Sequence, residues 1–417
     1  MTKILLTVNA GSSSLKLSAF LLKDGTGAPQ RILTACIRGI RTASTSIFYS
    51  RYGETINNNH AIKAVQDPCD AFSAAFTVLL QDPNLCEIKS KDDIDFVCHR
   101  IVHGGRLSNP RVIDEQTLQV LAQAGHLAPL HTSGALSIVS QCKQQLIHAI
   151  NIACFDTQFH RPIPAHIYTY AIDQKMATER GLRKYGFHGL SYAFLTRSVA
   201  SFLRIDQESM NLIALHLGSG ASACAILNGK SLDTSMGLTP LSGLPGATRS
   251  GTIDPSIVFH SACPTSNNSP STNDTIHWSN AEHMLNDRSG WLSLTGTTDF
   301  AAIVASSHPN CKLAFDLFVH RICDFIGSYY VALQGRVDAL VFAGGIGENC
   351  SELRAAVVRN LLCLGFVVDE RRNESNANIN TATIRDISAD NQKRRVLICQ
   401  TDEEMEMSQI CASMKLY

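Results

Sequence analysis

Two short apolar runs, each interrupted by a Gly/Ser turn and then resumed, constrain this chain more than any other feature. Ile4-Leu-Leu-Thr-Val8 stops at Asn9-Ala-Gly-Ser-Ser-Ser14 and continues as Leu15-Lys-Leu-Ser-Ala-Phe20. About halfway along, Ile213-Ala-Leu-His-Leu217 stops at Gly218-Ser-Gly-Ala-Ser222 and continues as Ala223-Cys-Ala-Ile-Leu227, ending at Asn228-Gly229. Strand, tight turn, strand is a hairpin pattern. One such hairpin per half predicts a duplicated α/β domain, not one continuous sheet. The length of 417 residues fits two domains, because a single core seldom grows past roughly 250–300 residues.

Helices are expected between the strands, over 70–81, over 114–124 with a stop at Gly125, and over 313–333. Thr401-Asp-Glu-Glu404 has the form of a capping box, with Thr401 as N-cap, opening a last helix towards Met414. Pro264 to Ser279 is rich in Ser, Asn, Thr and Pro and reads as an inserted solvated loop. A third Gly-rich site follows the apolar run Leu340-Val-Phe-Ala343. Gly344-Gly-Ile-Gly-Glu-Asn349 reads as a turn, and Ser351-Glu-Leu-Arg354 as the start of a helix. Uncovered backbone N–H groups in such turns suit anionic oxygens.

Composition closes off several classes. Lys plus Arg is 36 and Asp plus Glu is 36, so no broad field favours nucleic acid or an anionic membrane. No apolar run approaches the roughly 20 residues of a membrane helix. The 14 cysteines lack any Cys-x-x-Cys spacing, and with no export signal they read as reduced, mostly buried thiols of a cytoplasmic protein. His99-Arg-Ile-Val-His103 lacks the Glu of a zinc His-Glu-x-x-His motif and looks like a strand running into a loop. No Gly-x-Ser-x-Gly elbow appears.

Read together and in order, Asn9 to Lys16, His99 to Gly105, Phe155-Asp-Thr157, Tyr185-Gly-Phe-His-Gly189, Asp233-Thr-Ser-Met-Gly237 and Gly344 to Asn349 resemble the acetate kinase family, from residue 3 to about residue 408. The resemblance implies an α/β fold of two ribonuclease-H-like, actin-like ATPase domains with a cleft between them, in a homodimer. The domains implied are residues 1–157, completed by the C-terminal helix 402–417, and residues 158–401, the nucleotide-binding part with the inserted loop 264–279.

The same resemblance implies the site. Asp156, Arg100, Arg249 and His188 would be catalytic, with Arg100, Val102, Leu130, Phe187 and Pro240 binding the small carboxylic acid. Lys16, His216, Gly218, Ser219, Gly220, Asp299, Phe300, Gly345, Ile346 and Asn349 would serve the nucleotide, and His131 would line the site. Asn9 and Glu403 would hold magnesium, with manganese as an alternative. ATP and ADP are the implied co-substrates, and acetate and acetyl phosphate the partners.

The chemistry agrees with these residue types. A short carboxylic acid has a pKa of roughly 4 to 5 and is ionised at neutral pH, so no base is needed to create the nucleophile. The obstacle is an anion attacking a polyanion, which calls for cations and alignment. Asp156 is therefore expected to orient metal or water and not to abstract a proton.

The chain also departs from the family pattern. Ser219 stands where Asn is usual, Ala247 where Gly is usual, Thr132-Ser133 where Asn-Pro is common, Ala301 where a basic residue is expected, and Tyr192 where His is usual. These departures touch the donor side. The readings left open are a propionate or related short-chain acyl kinase, a phosphoryl donor other than ATP, and a non-catalytic nucleotide-binding regulatory protein. The joint presence of Arg100, Arg249, His188 and Asp156 opposes the last.

Overall fold

The structure, a computed structural model, describes residues 2–11, 13–23, 28–42, 44–124, 129–262, 274–375 and 383–416, with backbone only at 124, 129–133, 260–262 and 274–279. The chain divides into two compact units. The first comprises Met1–Phe159, His188–Phe194 and Asp402–Tyr417, and the second His160–Phe187 and Leu195–Thr401.

Among the described residues the first unit carries an eight-stranded sheet in the order β5-β4-β3-β2-β1-β6-β8-β7. Its strands are β1 (Lys3–Ala10), β2 (Ser14–Leu22), β3 (Gln30–Arg38), β4 (Ser46–Arg51), β5 (Glu54–Ala61), β6 (Phe96–Ile101), β7 (Arg111–Val112) and β8 (Ile150–Phe155). The expected first hairpin is the β1–β2 pair, antiparallel from Lys3↔Leu22 to Ala10↔Leu15. Beyond it, β1, β6 and β8 run parallel.

The second unit carries a six-stranded sheet, β11-β10-β9-β12-β14-β13. It is built from β9 (Leu212–Leu217), β10 (Ala221–Leu227), β11 (Lys230–Thr234), β12 (Ala339–Ala343), β13 (Ile384–Asp386) and β14 (Arg395–Cys399). Three antiparallel strands followed by two parallel ones occur in both sheets, β3-β2-β1-β6-β8 and β11-β10-β9-β12-β14. The duplication expected from the two hairpins is therefore present at the level of topology.

Strand alternation distributes the core. On one face of the first sheet Leu6, Val8, Leu15 and Leu17 pack with Phe72, Phe76 and Leu79 of the helix Pro68–Leu80. That helix starts on Asp67, whose side chain accepts from the Asp70 N–H, with Pro68 in its first turn. On the other face Leu5, Phe20, Phe96, Cys98, Ile152 and Cys154 pack with Met407 and Cys411 of the C-terminal helix Glu403–Ser413. In the second unit Ile213, Leu215, Leu340 and Phe342 pack against Phe318, Ile322 and Ile326 of the helix Pro309–Ala332. The thirteen described cysteines are free thiols, and seven of them are buried.

Four expectations are corrected. The last helix is capped by Asp402, which accepts from the Met405 N–H, and not by Thr401; Glu404 turns inward to other partners. The Ser/Asn-rich stretch becomes helix from Asp274, in Asp274–Asp287, while 263–273 lies outside the described residues. Gly344–Asn349 is a short helix of its own and not an open turn. Residues 188–194, placed by the resemblance in the second domain, belong to the first unit. There the Gly189 N–H donates to Asp156 O at 2.9 Å, and Leu190 joins the core beneath the C-terminal helix.

Candidate active site

The parallel strands of the first unit deliver a cluster of charges at their C-terminal ends. Strand register places Val8 opposite His99 and Arg100 opposite Cys154, so Asn9, Arg100 and Asp156 emerge side by side. Crevices at this end of parallel strands are the usual ligand sites of open α/β sheets. Arg100 donates from Nε to Asp156 Oδ1 at 2.9 Å and from Nη2 to Oδ2 at 2.7 Å. Its Nη1 reaches Asn9 Oδ1 at 3.0 Å and Glu403 Oε2 at 3.0 Å. The Asn9 amide donates to Glu403 Oε2 and to Glu404 Oε1, both at 2.8 Å, and Lys16 Nζ pairs with Glu404 Oε2 at 2.5 Å.

Burial makes this network costly to break. The side chains of Asp156 and Glu404 are each 1% exposed. Burial opposes the charge on Arg100, but Asp156 and Glu403 outweigh it and hold the guanidinium pKa above its ordinary value. Burial likewise opposes ionisation of Glu404, yet Lys16 and the Asn9 amide keep its carboxyl below the usual range. Three carboxylates face two cations, an excess of one negative charge.

A hard divalent cation fits that donor set. Magnesium prefers oxygen ligands, uses one or two carboxylates and keeps several waters, and Asn9 Oδ1 with the Glu403 carboxylate offers that chemistry. Among the described residues there is no group of three or more His, Cys, Asp or Glu able to cage a metal. His99 and His103 are committed elsewhere: His99 Nε2 lies 2.8 Å from Asn151 Oδ1, and His103 Nδ1 accepts from the Gly105 N–H at 2.9 Å.

His188 also belongs to the first unit. It precedes the helix Gly189–Leu203 and takes a left-handed φ of 57°. Gly189 is required beside it, because a Cβ there would stand 2.0 Å from Asp156 O. Val102, half-buried just past β6, lies in this unit too. Phe187 and Pro240 are buried in the second unit. The side chains of Leu130 and His131 lie outside the described residues.

The second unit holds a cavity of about 640 Å³. Of the expected nucleotide residues, Gly218, Ser219, Asp299, Phe300, Gly345, Ile346 and Asn349 line it. Gly220 closes the same hairpin turn, its carbonyl accepting from the Gly218 N–H at 3.1 Å, and His216 is half-buried on β9. Lys16 is part of the first unit's network instead. Two lining residues carry specific structural duties. Asp299 caps the helix Phe300–Ala305 through the Ala301 and Ala302 N–H groups, and the Phe300 ring packs edge-on to Trp291 at 5.3 Å.

Sequence reasoning missed Cys350 and Glu352 in this lining; their place just after Asn349, around a helix start, was the available signal. The charged lining residues are Asp299 and Glu352, both acidic. Such a wall suits the hydroxyls and amino groups of a nucleoside, so the negative charge of a phosphate tail has to be met elsewhere.

The loop that carries Arg249 adjoins that cavity. It is tied to the hairpin turn by the Ala247 N–H donating to Ser219 O at 2.8 Å, and to the helix Gly290–Thr295 by the Leu292 N–H donating to Ala247 O at 2.9 Å. Ala247 is 5% exposed and is accommodated in the core. Among the described residues Arg249 has no carboxylate partner, and burial alone lowers its guanidinium pKa. A half-buried, unpaired guanidinium is a site for an anion.

Two repeats of one α/β topology, one bearing a carboxylate–arginine network and the other a nucleoside-sized cavity adjoined by the loop of a free arginine, define a phosphotransferase of the duplicated actin-like ATPase class. The acetokinase family model matches residues 4–409, and this chain belongs to that family, which is a family of enzymes. A probable acetate kinase of Neurospora crassa is 49% identical, over 99% of this chain and 94% of that protein. The crystal structure of a propionate kinase from Francisella tularensis shares 32% identity at a TM-score of 0.81, covering 98% of both chains. That of Porphyromonas gingivalis acetate kinase shares 30% identity at 0.80, covering 100% of both. No helix among the described residues is long and apolar enough to cross a membrane.

Proposed function

We propose that this protein catalyses the reversible, magnesium-dependent transfer of the ATP γ-phosphoryl group to acetate, giving acetyl phosphate and ADP, in the cytoplasm. The observation that carries this reading is the contrast between its two arginines. Arg100 is locked in plane by a bidentate carboxylate, and Arg249 is unpaired on a loop that adjoins the cavity. A guanidinium held in a fixed plane orients a carboxylate; a free guanidinium takes up phosphoryl charge as it develops.

Acetate arrives ionised, so the site has no proton to remove. Asp156 spends both oxygens on Arg100 and acts by holding that guanidinium flat. His188 is the proposed donor to a phosphoryl oxygen, and Arg249 the proposed cation for phosphoryl charge. Magnesium, held by Asn9 and Glu403, would supply neutralisation of the phosphate oxygens. Val102, Phe187 and Pro240 give the acid's methyl group apolar surroundings.

Hydroxylamine trapping tests the reading. Acyl hydroxamate is expected from acetate with ATP and magnesium, and the absence of hydroxamate with every short acid and donor tried would overturn it. Propionate and butyrate belong in the same assay, since one methylene in an apolar pocket is worth only about 1–3 kcal/mol. GTP and pyrophosphate test whether Ser219 and Ala301 alter the donor.

A further inference from the structure

One histidine that the proposed chemistry does not use is enclosed by polar partners. His160 is 1% exposed. Its Nδ1 lies 2.8 Å from Ser231 Oγ and its Nε2 2.9 Å from Phe187 O. A carbonyl oxygen can only accept, so Nε2 carries the hydrogen. Burial brings the imidazole pKa down to about 4, which leaves the ring neutral at working pH and Nδ1 bare. Ser231 therefore donates its hydroxyl hydrogen to Nδ1, which fixes the tautomer. Cys224 Sγ stands 3.5 Å behind that hydroxyl.

The carbonyl held in this way belongs to the peptide that enters His188. Its plane sets the φ of His188, and that φ, 57°, is left-handed. For a residue with a side chain this region is unfavourable. It persists only where neighbours over-determine it. Here the Tyr185 and Gly186 N–H groups donate to Gly237 O at 3.0 and 3.2 Å, and the Gly189 N–H donates to Asp156 O at 2.9 Å. Gly186 itself has φ 80° and lies so close to the imidazole that a Cβ would come within 2.7 Å of it. Between these anchors, the Phe187 carbonyl is the group that decides how the following peptide is rotated.

We propose that His160 is a positioning residue: its Nε2–H, oriented by Ser231, fixes the Phe187 carbonyl and thereby aims the His188 side chain at the transferring phosphoryl group. This deepens the acyl-kinase reading and rests on it for its kinetic consequence, though not for its structural one.

The test pairs two substitutions in the full-length protein. Glutamine at 160 places an amide N–H close to where Nε2 stood, whereas asparagine is too short to reach the carbonyl. His160→Asn is expected to lower kcat for acetyl phosphate formation by about 100-fold, the cost of a misplacement near 1 Å, with KM for ATP little changed. His160→Gln is expected to recover most of that loss. In parallel, hydrogen exchange followed by mass spectrometry is expected to show the 185–189 amides exchanging about 10-fold faster in His160→Asn and not in His160→Gln. Equal kinetic loss in both variants, or unchanged exchange over 185–189 in His160→Asn, would overturn the proposal. Should His160→Asn fail to fold, Ser231→Ala replaces it, with a smaller kcat loss and faster exchange over the same amides expected and unchanged values counting against it. A wild-type protein that forms no hydroxamate would instead defeat the acyl-kinase reading, and the exchange experiment would still decide the role of His160.

Discussion

Arg249→Ala is expected to keep its stability and lose its chemistry, whereas Arg100→Ala loses both. Removing Arg249 deletes a half-buried charge with no carboxylate partner among the described residues. The desolvation penalty leaves with it, so stability should stay within about 1 kcal/mol. Removing Arg100 strands Asp156, whose side chain is 1% exposed, and Glu403 at 10%. An uncompensated buried charge of that kind costs about 3–5 kcal/mol. Arg249→Ala loses a cation aimed at developing charge, worth about 10²–10³ in kcat, and Arg100→Ala loses the group that orients the acceptor, a misplacement costing about 10². Urea unfolding beside the hydroxamate assay separates the two effects. Equal destabilisation by the two substitutions would show that Arg249 is a structural cation after all.

Acid is expected to destabilise both units well before their carboxylates titrate. His99 and His160 are buried, one in each unit, and burial lowers both pKa values from 6.5 to about 4. For His99 the Asn151 amide fixes the tautomer: its Nδ2 donates to Ala149 O, so Oδ1 faces the ring and Nε2 carries the hydrogen. In the unfolded chain these imidazoles protonate near the ordinary 6.5, so between about pH 6.5 and 4 the unfolded state binds more protons. Their contribution is thus fully present above about pH 6.5 and lost as pH falls through 4. At 1.36 kcal/mol per unit, each histidine is worth roughly 3 kcal/mol over that window. Glu404, held below its usual range, adds a further loss at still lower pH. The urea midpoint is expected to drop steeply from pH 7 to 5, and a His99→Gln protein to show a flatter profile. A midpoint independent of pH across that range would mean that these imidazoles are hydrated in the folded state.

What the sequence makes legible is local. The β1–β2 and β9–β10 hairpins announce themselves because apolar runs and Gly/Ser turns sit within a dozen residues of one another. The Gly-rich stretch at 344–349 was visible as a feature but not as a helix, because small residues favour a turn when no tertiary partner is considered. The cap of the last helix shows the limit most clearly. Thr401 and Glu404 satisfy the capping-box spacing, yet Asp402 takes the role while also binding Arg31 Nη2 at 2.5 and 2.7 Å, from 371 residues away. Glu404 is then drawn to Asn9 and Lys16 instead. Asn9, Arg100, Asp156 and Glu403 are named through resemblance; that they share one guanidinium follows from parallel strand register together with the return of the C-terminal helix. His160 carried no motif at all, since its meaning lies in the carbonyl of residue 187.

Direct attack by a carboxylate oxygen on the γ-phosphorus, with cations cancelling the repulsion, is the step on which the functional reading depends. ATP made chiral at the γ-phosphorus with oxygen isotopes reports it. A single in-line displacement inverts the configuration in the acetyl phosphate formed, and inversion is the expected result. Net retention would require an even number of displacements through a phosphorylated side chain and would contradict direct transfer.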